Sequence, residues 1–380
     1  MVDRKTLIDR RSFCSSLLSA GLVAPSLVRA EEFATVTDMA GQEVKIPVRP
    51  KRIVLLEARD ILTMALLHPD PASLVVGWAS VDRIDSELLT QSFLQGHSIA
   101  TVGKRTPDTV SVEGVAGLSP DLVVANTYMV PAGHDDLLIQ RLKKLGIPVI
   151  FSDFSSNSLD DEAMTGSVLS RFRDHMKMWG RVLDADAAAV TFVEFFESRL
   201  KRVASALSGA QPVVTYLEIQ STLEDCCWAA GTRNLGELLE LAGGEPLPGV
   251  TAPWFQKLQL EHLLKTPHDV YIATGGGWPG GGRPSIGPGL DPSEGQRGLE
   301  RLTGRTGFSQ LDSVRNRRVH GVWSGIIATP PLFILFVECA AKWLHPERCA
   351  DISPDETLDE INRLFLTTPI EGPLWVSIEE

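Results

Sequence analysis

Short apolar runs rich in β-branched side chains recur along the first part of the chain, each between turn-forming residues. They span 51–56, 74–77, 121–125 and 147–151. Such runs are typical of strands that are buried on both faces of a parallel sheet. Helical periodicity falls between them, for example over 61–67 and over 135–145, where Gly146 ends the helix. This alternation predicts an α/β sheet covered by helices on both faces.

The same alternation restarts after residue 210. Strands are predicted over 212–218, 269–273 and 318–322, and a helix over 232–241. One segment pairs the two halves without a gap, because 112–125 matches 260–273. In both copies a glutamate opens a short helix and an aspartate eight residues later opens a strand. The chain therefore predicts two similar lobes.

A long helical stretch lies between the two predicted lobes. Apolar residues repeat at spacings of three and four over 184–207, and Ser208-Gly209 can end the helix. At about 1.5 Å per residue such a helix is roughly 35 Å long, enough to join two lobes. An earlier helix over 161–183 leads into it, with Gly180 as the expected break. The predicted organisation is an N-terminal lobe (31–160), a helical segment (161–209) and a C-terminal lobe with a helical tail (210–380).

Composition narrows the class of protein without changing this architecture. The chain has 380 residues, 43% hydrophobic and 22% charged, which is ordinary globular usage. No uninterrupted apolar stretch reaches the length of a membrane-spanning helix. The net charge is −12, so the basic footprint of a nucleic-acid-binding protein is missing.

The first thirty residues resemble an export signal. Arg10-Arg11 is followed by Ser12 and Phe13, as in twin-arginine signals, and a weakly apolar run continues to Val28. Small residues at Val28 and Ala30 fit a signal peptidase site. We therefore expect cleavage after Ala30 and a periplasmic protein.

Four cysteines remain after such cleavage, and an oxidising compartment permits disulfides. Cys339 and Cys349 can close a short loop, whereas the adjacent Cys226 and Cys227 can bond to each other only with strain. Four buried free thiols are an equally open alternative.

Several motifs, in their order along the chain, resemble one protein family. They are Thr37–Val44, Val112–Ala125, Gly231–Gly244, Val314–His320, Ala341–Glu347 and Pro369–Trp375. Together with the export signal they resemble the substrate-binding proteins of ABC importers for ferric siderophores, haem and vitamin B12. The resemblance implies an α/β fold of two Rossmann-like lobes with parallel sheets, joined by one long α-helix. It also implies a monomer that captures a ligand between the lobes and delivers it to a membrane permease.

The resemblance implies a docking role for one glutamate on each lobe. Glu113 and Glu261 occupy the positions whose carboxylates contact permease arginines in this family. The alternative is that both are helix-start glutamates favoured by the helix dipole. Their symmetrical placement in the two repeats favours docking.

Ligand contacts are expected in the loops that follow the carboxyl ends of the strands. A ferric chelate is bulky, often anionic and already supplies the oxygen ligands of Fe³⁺, so the protein needs arginines for those oxygens and aromatic faces for the organic rim. The candidates are Arg59, Trp78, Arg83, Arg105, Tyr128, Trp228, Trp278, Arg283 and Trp323. We predict a ferric siderophore as ligand, with haem, through Tyr128, or cobalamin as alternatives. The Gly-rich loop 275–282 and the insertion 283–307 are expected beside this cleft.

The sequence does not favour a metal centre or an enzyme. The histidines show no metal-binding spacing, so no protein-bound metal or cofactor is expected. Gly96-His97-Ser98 is only a loose echo of a hydrolase elbow. A metal-chelatase-like or hydrolytic enzyme on a related fold is therefore the weaker alternative, and no catalytic residue is predicted.

Overall fold

The computed structural model describes residues 32–153, 166–277 and 282–378. The predicted export signal and Trp278 lie outside these residues. The strands are β1 (Phe33–Thr37), β2 (Glu43–Pro47), β3 (Ile53–Leu55), β4 (Val75–Trp78), β5 (Ala100–Thr101), β6 (Leu122–Asn126), β7 (Val149–Asp153), β8 (Val213–Glu218), β9 (Trp228–Ala230), β10 (Gly244–Pro246), β11 (Phe255–Lys257), β12 (Val270–Gly275), β13 (Val319–Trp323) and β14 (Trp375–Ser377). The helices are α1 (Asp60–Leu67), α2 (Glu87–Leu94), α3 (Val112–Gly117), α4 (Leu137–Lys144), α5 (Val168–Leu183), α6 (Asp186–Ala206), α7 (Leu235–Leu241), α8 (Leu260–Lys265), α9 (Pro292–Thr303), α10 (Asp312–Arg315), α11 (Ser324–Ala328), α12 (Phe333–Leu344) and α13 (Pro354–Phe365). No helix among the described residues is both long and apolar enough to cross a membrane.

The first lobe contains a parallel sheet in the order β5-β4-β3-β6-β7. Alternate residues of its central strands enter different apolar clusters, because successive side chains of a strand point to opposite faces. Val123 joins the smaller cluster, whereas its neighbours Leu122 and Val124 join the main core. The β1–β2 hairpin precedes this sheet. The four strands and two helices predicted for this lobe are confirmed, with ends shifted by a few residues.

The second lobe contains a mixed sheet in the order β11-β9-β8-β12-β13-β14, and β10 pairs with β8. Its centre, β8, β12 and β13, is parallel as predicted. The outer strands β9, β11 and β14 pair antiparallel, which the apolar pattern did not indicate. These outer strands are only three residues long and partly exposed, so they carry no continuous apolar run.

The internal repeat appears in the strand pairing. In the first lobe α3 leads to β6, which lies between β3 and β7; in the second, α8 leads to β12, which lies between β8 and β13. The two lobes are thus built on one strand order, as the matched segments predicted. The predicted α/β fold of two Rossmann-like lobes is confirmed.

Two helices in succession, α5 and α6, connect the lobes. The long helix predicted over 184–207 is α6, which the structure bounds at Asp186–Ala206. The chain turns at Asp184, whose φ of 52° ends α5. The predicted break at Gly180 is wrong, because Gly180 lies inside α5. Its missing side chain instead lets the two helices approach, since an added Cβ would lie 2.9 Å from that of Ala189.

The remaining sequence expectations concern cysteines and the insertion. Cys226 and Cys227 are bonded to each other, and Cys339 and Cys349 are buried free thiols. The 283–307 segment contains α9, which Asp291 caps through the Ser293 amide. Helix α9 packs on β13 and β14, so this part of the insertion covers the sheet of the second lobe.

Candidate ligand cleft

A cavity of about 850 Å³ lies between the two lobes and one face of α5. Part of its first-lobe wall comes from residues at or just after the carboxyl ends of β3, β6 and β7, the end of a parallel sheet where ligands bind in α/β folds. The rest of that wall includes residues 35–41 of the β1–β2 hairpin. The second lobe contributes Trp254, Phe255 and the 327–330 segment, and α5 contributes residues between Val168 and Arg181. The cleft expected between the lobes is therefore present as a cavity.

Two arginines share one carboxylate in the first-lobe wall. The side chain of Glu57 is only 6% exposed, and its Oε2 lies 2.7 Å from Arg83 Nε. Arg59 Nε is 3.7 Å from Glu57 Oε1. Asn126 donates a hydrogen bond of 3.0 Å to the same carboxylate and holds it in place. Two guanidinium groups thus lie beside one carboxylate.

Asp60, at the start of α1, adds no full negative charge to this wall at neutral pH. Burial, together with the neighbouring Glu57, raises the pKa of Asp60 to about 8. Its Oδ2 accepts a hydrogen bond of 2.7 Å from Ser152. A carboxyl group with this pKa is mostly protonated at pH 7.

His175 of α5 is buried in the same wall. Its Nδ1 lies 3.1 Å from the carbonyl oxygen of Ser152, and its Nε2 lies 3.4 Å from Thr63 Oγ1. Burial lowers the pKa of His175 to about 4, so the imidazole is neutral at physiological pH. Both ring nitrogens are engaged within the protein.

The opposite wall is apolar with two unsatisfied polar groups. Phe255 and Phe333 line it together with Trp254 and Thr329. Trp254 Nε1 and Thr329 Oγ1 are buried, and neither has a hydrogen-bond partner among the described residues. Buried polar groups are normally paired, so these two groups are exceptions in this wall.

Arg59 and Arg83 are the predicted ligand residues that line the cavity. Tyr128 does not line the cavity, and its ring centroid lies 4.0 Å from the Arg83 guanidinium carbon. Arg105 forms an ion pair with Asp82, and neither residue lines the cavity. Trp228 donates to Asp225 at 2.9 Å, and its ring packs against Phe255 rather than facing the cavity itself.

Three further predicted ligand residues, Trp78, Trp323 and Arg283, lie outside the cavity lining. Trp78 is 2% exposed and belongs to the main core. Trp323 is fully buried, and its indole donates to the Asp85 carbonyl oxygen at 3.1 Å. Arg283 bonds the Gly275 carbonyl at 2.7 Å and pairs with Asp85 at 3.4 Å. These last two side chains join the lobes beside the cavity.

The glutamates predicted to dock occupy equivalent exposed positions. Glu113 is the second residue of α3, and Glu261 is the second residue of α8. Both side chains are exposed to solvent. Each helix leads into a central strand of its lobe, so the two carboxylates occupy matching places in the repeat.

One group of possible metal ligands occurs among the described residues. Donor atoms of Glu218, Cys226 and Cys227 lie within 4.8 Å of one another. The two sulfurs are bonded to each other, and Glu218 accepts hydrogen bonds from Arg305 and Tyr271. These donor atoms are therefore already engaged inside the protein.

Sequence reasoning missed much of the cavity wall. It did not select Asp60, Asn126, Trp254, Phe255, Thr329 or the α5 face. Asp60 and Asn126 each lie at or near the carboxyl end of a predicted strand, so the same rule that selected Arg59 could have found them. The α5 face carries no comparable signal, because its apolar stripe looks like that of any packed helix.

Comparisons with known proteins agree on the fold. The Veillonella parvula TroA-like periplasmic binding protein FepB aligns with a TM-score of 0.74 at 20% identity, covering 91% of this chain and 99% of that one. The molybdate periplasmic binding protein MolA of Haemophilus influenzae aligns with a TM-score of 0.69 at 17% identity over 90% and 99%. An ABC-type Fe³⁺-hydroxamate transport protein of Saccharomonospora viridis gives 0.60 at 18% identity over 82% and 99%.

A search of curated proteins finds no matching sequence. The sequence model described as periplasmic binding protein matches residues 58–322. This match covers more than half of the chain and includes both lobes and the linking helices. The chain therefore belongs to the periplasmic binding protein family and is a binding protein of the ABC-transporter type.

Proposed function

We propose that this protein captures a ferric siderophore complex in the interlobe cavity and delivers it to an inner-membrane ABC permease. The observation that carries the proposal is the pair Arg59 and Arg83 on the cavity wall, which share the single carboxylate of Glu57. Guanidinium groups match the planar oxygen pairs of carboxylates, hydroxamates and catecholates. We further propose that binding involves no catalysed reaction.

The size and chemistry of the cavity favour a bulky, partly apolar anion. A volume of about 850 Å³ falls within the range of pockets for drug-sized ligands and is far larger than a small oxyanion needs. The second-lobe wall offers Phe255 and Phe333 to an organic surface.

Haem is less well supported than a ferric chelate. Tyr128, the predicted axial ligand, lies beneath Arg83 and does not line the cavity. His175 lines it, but both of its ring nitrogens already contact Ser152 and Thr63. Coordination of haem iron would require one of these contacts to break.

Ligand titration of the purified protein tests the proposal. The panel contains ferric hydroxamates, ferric catecholates, ferric citrate, haemin, cobalamin and molybdate, with iron-free chelators as controls, and intrinsic tryptophan fluorescence reports binding. We expect saturable quenching by one ferric class, and a loss of about tenfold or more in affinity in Arg83→Ala. Arg105→Ala is the matched control, because Arg105 and its ion-pair partner Asp82 do not line the cavity.

The titration has clear contrary outcomes. If only haemin, cobalamin or molybdate gives saturable quenching, the proposed ferric ligand is wrong but the binding function remains. If Arg59→Ala and Arg83→Ala each bind the ferric ligand with wild-type affinity, the two arginines do not contact the ligand. Silence across the panel would contradict the proposed ligand class.

We also propose that Glu113 and Glu261 orient the loaded protein on its permease. Exposed ion pairs contribute little affinity, so their main effect is orientation and steering. We expect Glu113→Lys and Glu261→Lys to bind the ferric ligand like the wild-type protein but to support slower uptake by cells. Glu240→Lys, the same charge change at another exposed position of the second lobe, is the control. Uptake at the wild-type rate in the double variant would contradict docking.

A further inference from the structure

We propose that Asp85 is an interlobe latch that holds the two lobes at the spacing that forms the ligand cavity. Asp85 belongs to the first lobe, immediately after the 3₁₀ turn Val81–Ile84 and before α2. It is 6% exposed, and the groups that surround it come largely from the second lobe. The inference stands on these contacts and does not depend on which ligand the cavity takes.

The Asp85 carboxylate bonds side chains of the second lobe. Its Oδ2 accepts a hydrogen bond from Ser324 at the start of α11 and lies 3.4 Å from an Arg283 amino nitrogen. Arg283 is itself held by the Gly275 carbonyl at 2.7 Å. One buried carboxylate thus ties the first lobe to two separate segments of the second.

The Asp85 backbone makes a second set of bonds across the lobes. Its carbonyl oxygen accepts from the Gly277 amide at 3.2 Å and from Trp323 Nε1 at 3.1 Å. The neighbouring Ser86 hydroxyl donates to the Pro288 carbonyl at 3.1 Å. Backbone and side chain therefore bind the same face of the second lobe, which gives the contact a fixed geometry.

Both sides of the latch are shaped for close approach. Asp85 has a φ of 57°, a left-handed conformation that Asn and Asp tolerate better than most residues. On the other side, a Cβ added at Gly276 would overlap the Asp85 carboxylate. A side chain at position 276 would therefore displace the Asp85 carboxylate from its partners.

The latch lies next to the ligand cavity. Arg83, two residues before Asp85, lines the cavity, and so does Ile327, three residues after Ser324. The linking helices α5 and α6 connect the lobes through the chain itself, and the latch adds a noncovalent attachment. Widening the cleft at this point requires all of the Asp85 bonds to break together.

The test compares ligand-free proteins by small-angle X-ray scattering and by amide hydrogen exchange. We expect Asp85→Asn and Gly276→Ala to increase the radius of gyration and to speed exchange in the peptide containing Gly277 by about tenfold. Asp82→Asn is the matched control, because Asp82 lies in the same 3₁₀ turn but pairs with Arg105 inside the first lobe. Circular dichroism and thermal unfolding confirm that each variant is folded.

Two outcomes would overturn the latch. One is a scattering curve and an exchange rate for Asp85→Asn that match the wild-type protein. The other is equal expansion in Asp82→Asn, which would show a general loss of stability rather than opening at the latch. If Asp85→Asn does not fold, Ser324→Ala removes one carboxylate partner and must still speed exchange at Gly277 for the proposal to hold.

Discussion

Replacing Glu57 with glutamine separates the two effects of the buried carboxylate in the cavity wall. Glu57 stabilises the fold by compensating Arg59 and Arg83, which lie beside it. It also cancels part of the positive charge that a ferric chelate would meet. Glu57→Gln keeps the shape of the side chain and removes its charge. We therefore expect a protein that is less stable and binds an anionic chelate more tightly.

The two effects differ in size. Removing one partner of a fully buried ion pair costs about 3–5 kcal/mol. The Arg59 and Arg83 side chains are 11% and 21% exposed to solvent, so water screens part of the uncompensated charge. We expect a loss of about 1–3 kcal/mol in the free energy of unfolding. A charge about 6 Å from the ligand at an effective dielectric constant near 20 changes binding by up to about 3 kcal/mol, and screening leaves about 1 kcal/mol, or fivefold.

Thermal unfolding and isothermal titration with the ferric ligand identified in the panel measure both quantities at pH 7. Asp82→Asn, which removes an ion-paired carboxylate that does not line the cavity, is the control and should leave affinity unchanged. The gain in affinity should shrink as salt is added. Weaker binding by Glu57→Gln, in proportion to its lower stability, would refute the view that the two arginines face ligand charge.

Three further predictions follow from burial and packing. Affinity for an anionic chelate should fall as the pH rises through about 8, where Asp60 ionises beside the arginines, and titrations of Asp60→Asn across the same pH range should lack that part of the fall. Because the folded pKa of His175 is about 4, below the unfolded value of 6.5, stability should decrease as the pH falls from 6.5 towards 4, by up to about 3 kcal/mol, and denaturant unfolding of His175→Gln should show a shallower decrease. Gly180→Leu should lower the free energy of unfolding by about 1–3 kcal/mol through overpacking of α5 against α6, whereas Lys177→Leu on the exposed side of α5 should not.

The central strands could be predicted from the sequence, because each is buried on both faces and therefore apolar throughout. Leu122, Val123 and Val124 show this in β6, where all three are fully buried although they face different clusters. The edge strand β14 gave no such signal, since Trp375 and Ser377 are only half-buried. The helix break predicted at Gly180 was wrong for a related reason. A glycine in a helical pattern suggests a break, whereas its packing against Ala189 depends on a second helix that the local pattern does not show.

The cavity lies between the lobes, where the ligand is expected, but the sequence indicated only some of its lining residues. The rule that ligands bind at loops following the carboxyl ends of strands selected Arg59 and Arg83, and both line the cavity. It could not separate Trp78, which turns into the core, from Trp254, which faces the cavity, because that choice depends on packing. It selected Trp323 as a ligand contact, whereas the indole binds the other lobe through Asp85.

The Asp85 contacts connect the cavity to the exposed glutamates through the rigidity of the pair of lobes. Glu113 and Glu261 lie on different lobes. Binding of both by one permease would therefore depend on the distance between the lobes. If Asp85 sets that spacing, then Asp85→Asn should change ligand release and uptake together. Glu113→Lys should change uptake alone, because its side chain is exposed and does not line the cavity. The Asp85 carboxylate would then determine both the shape of the ligand cavity and the distance between Glu113 and Glu261.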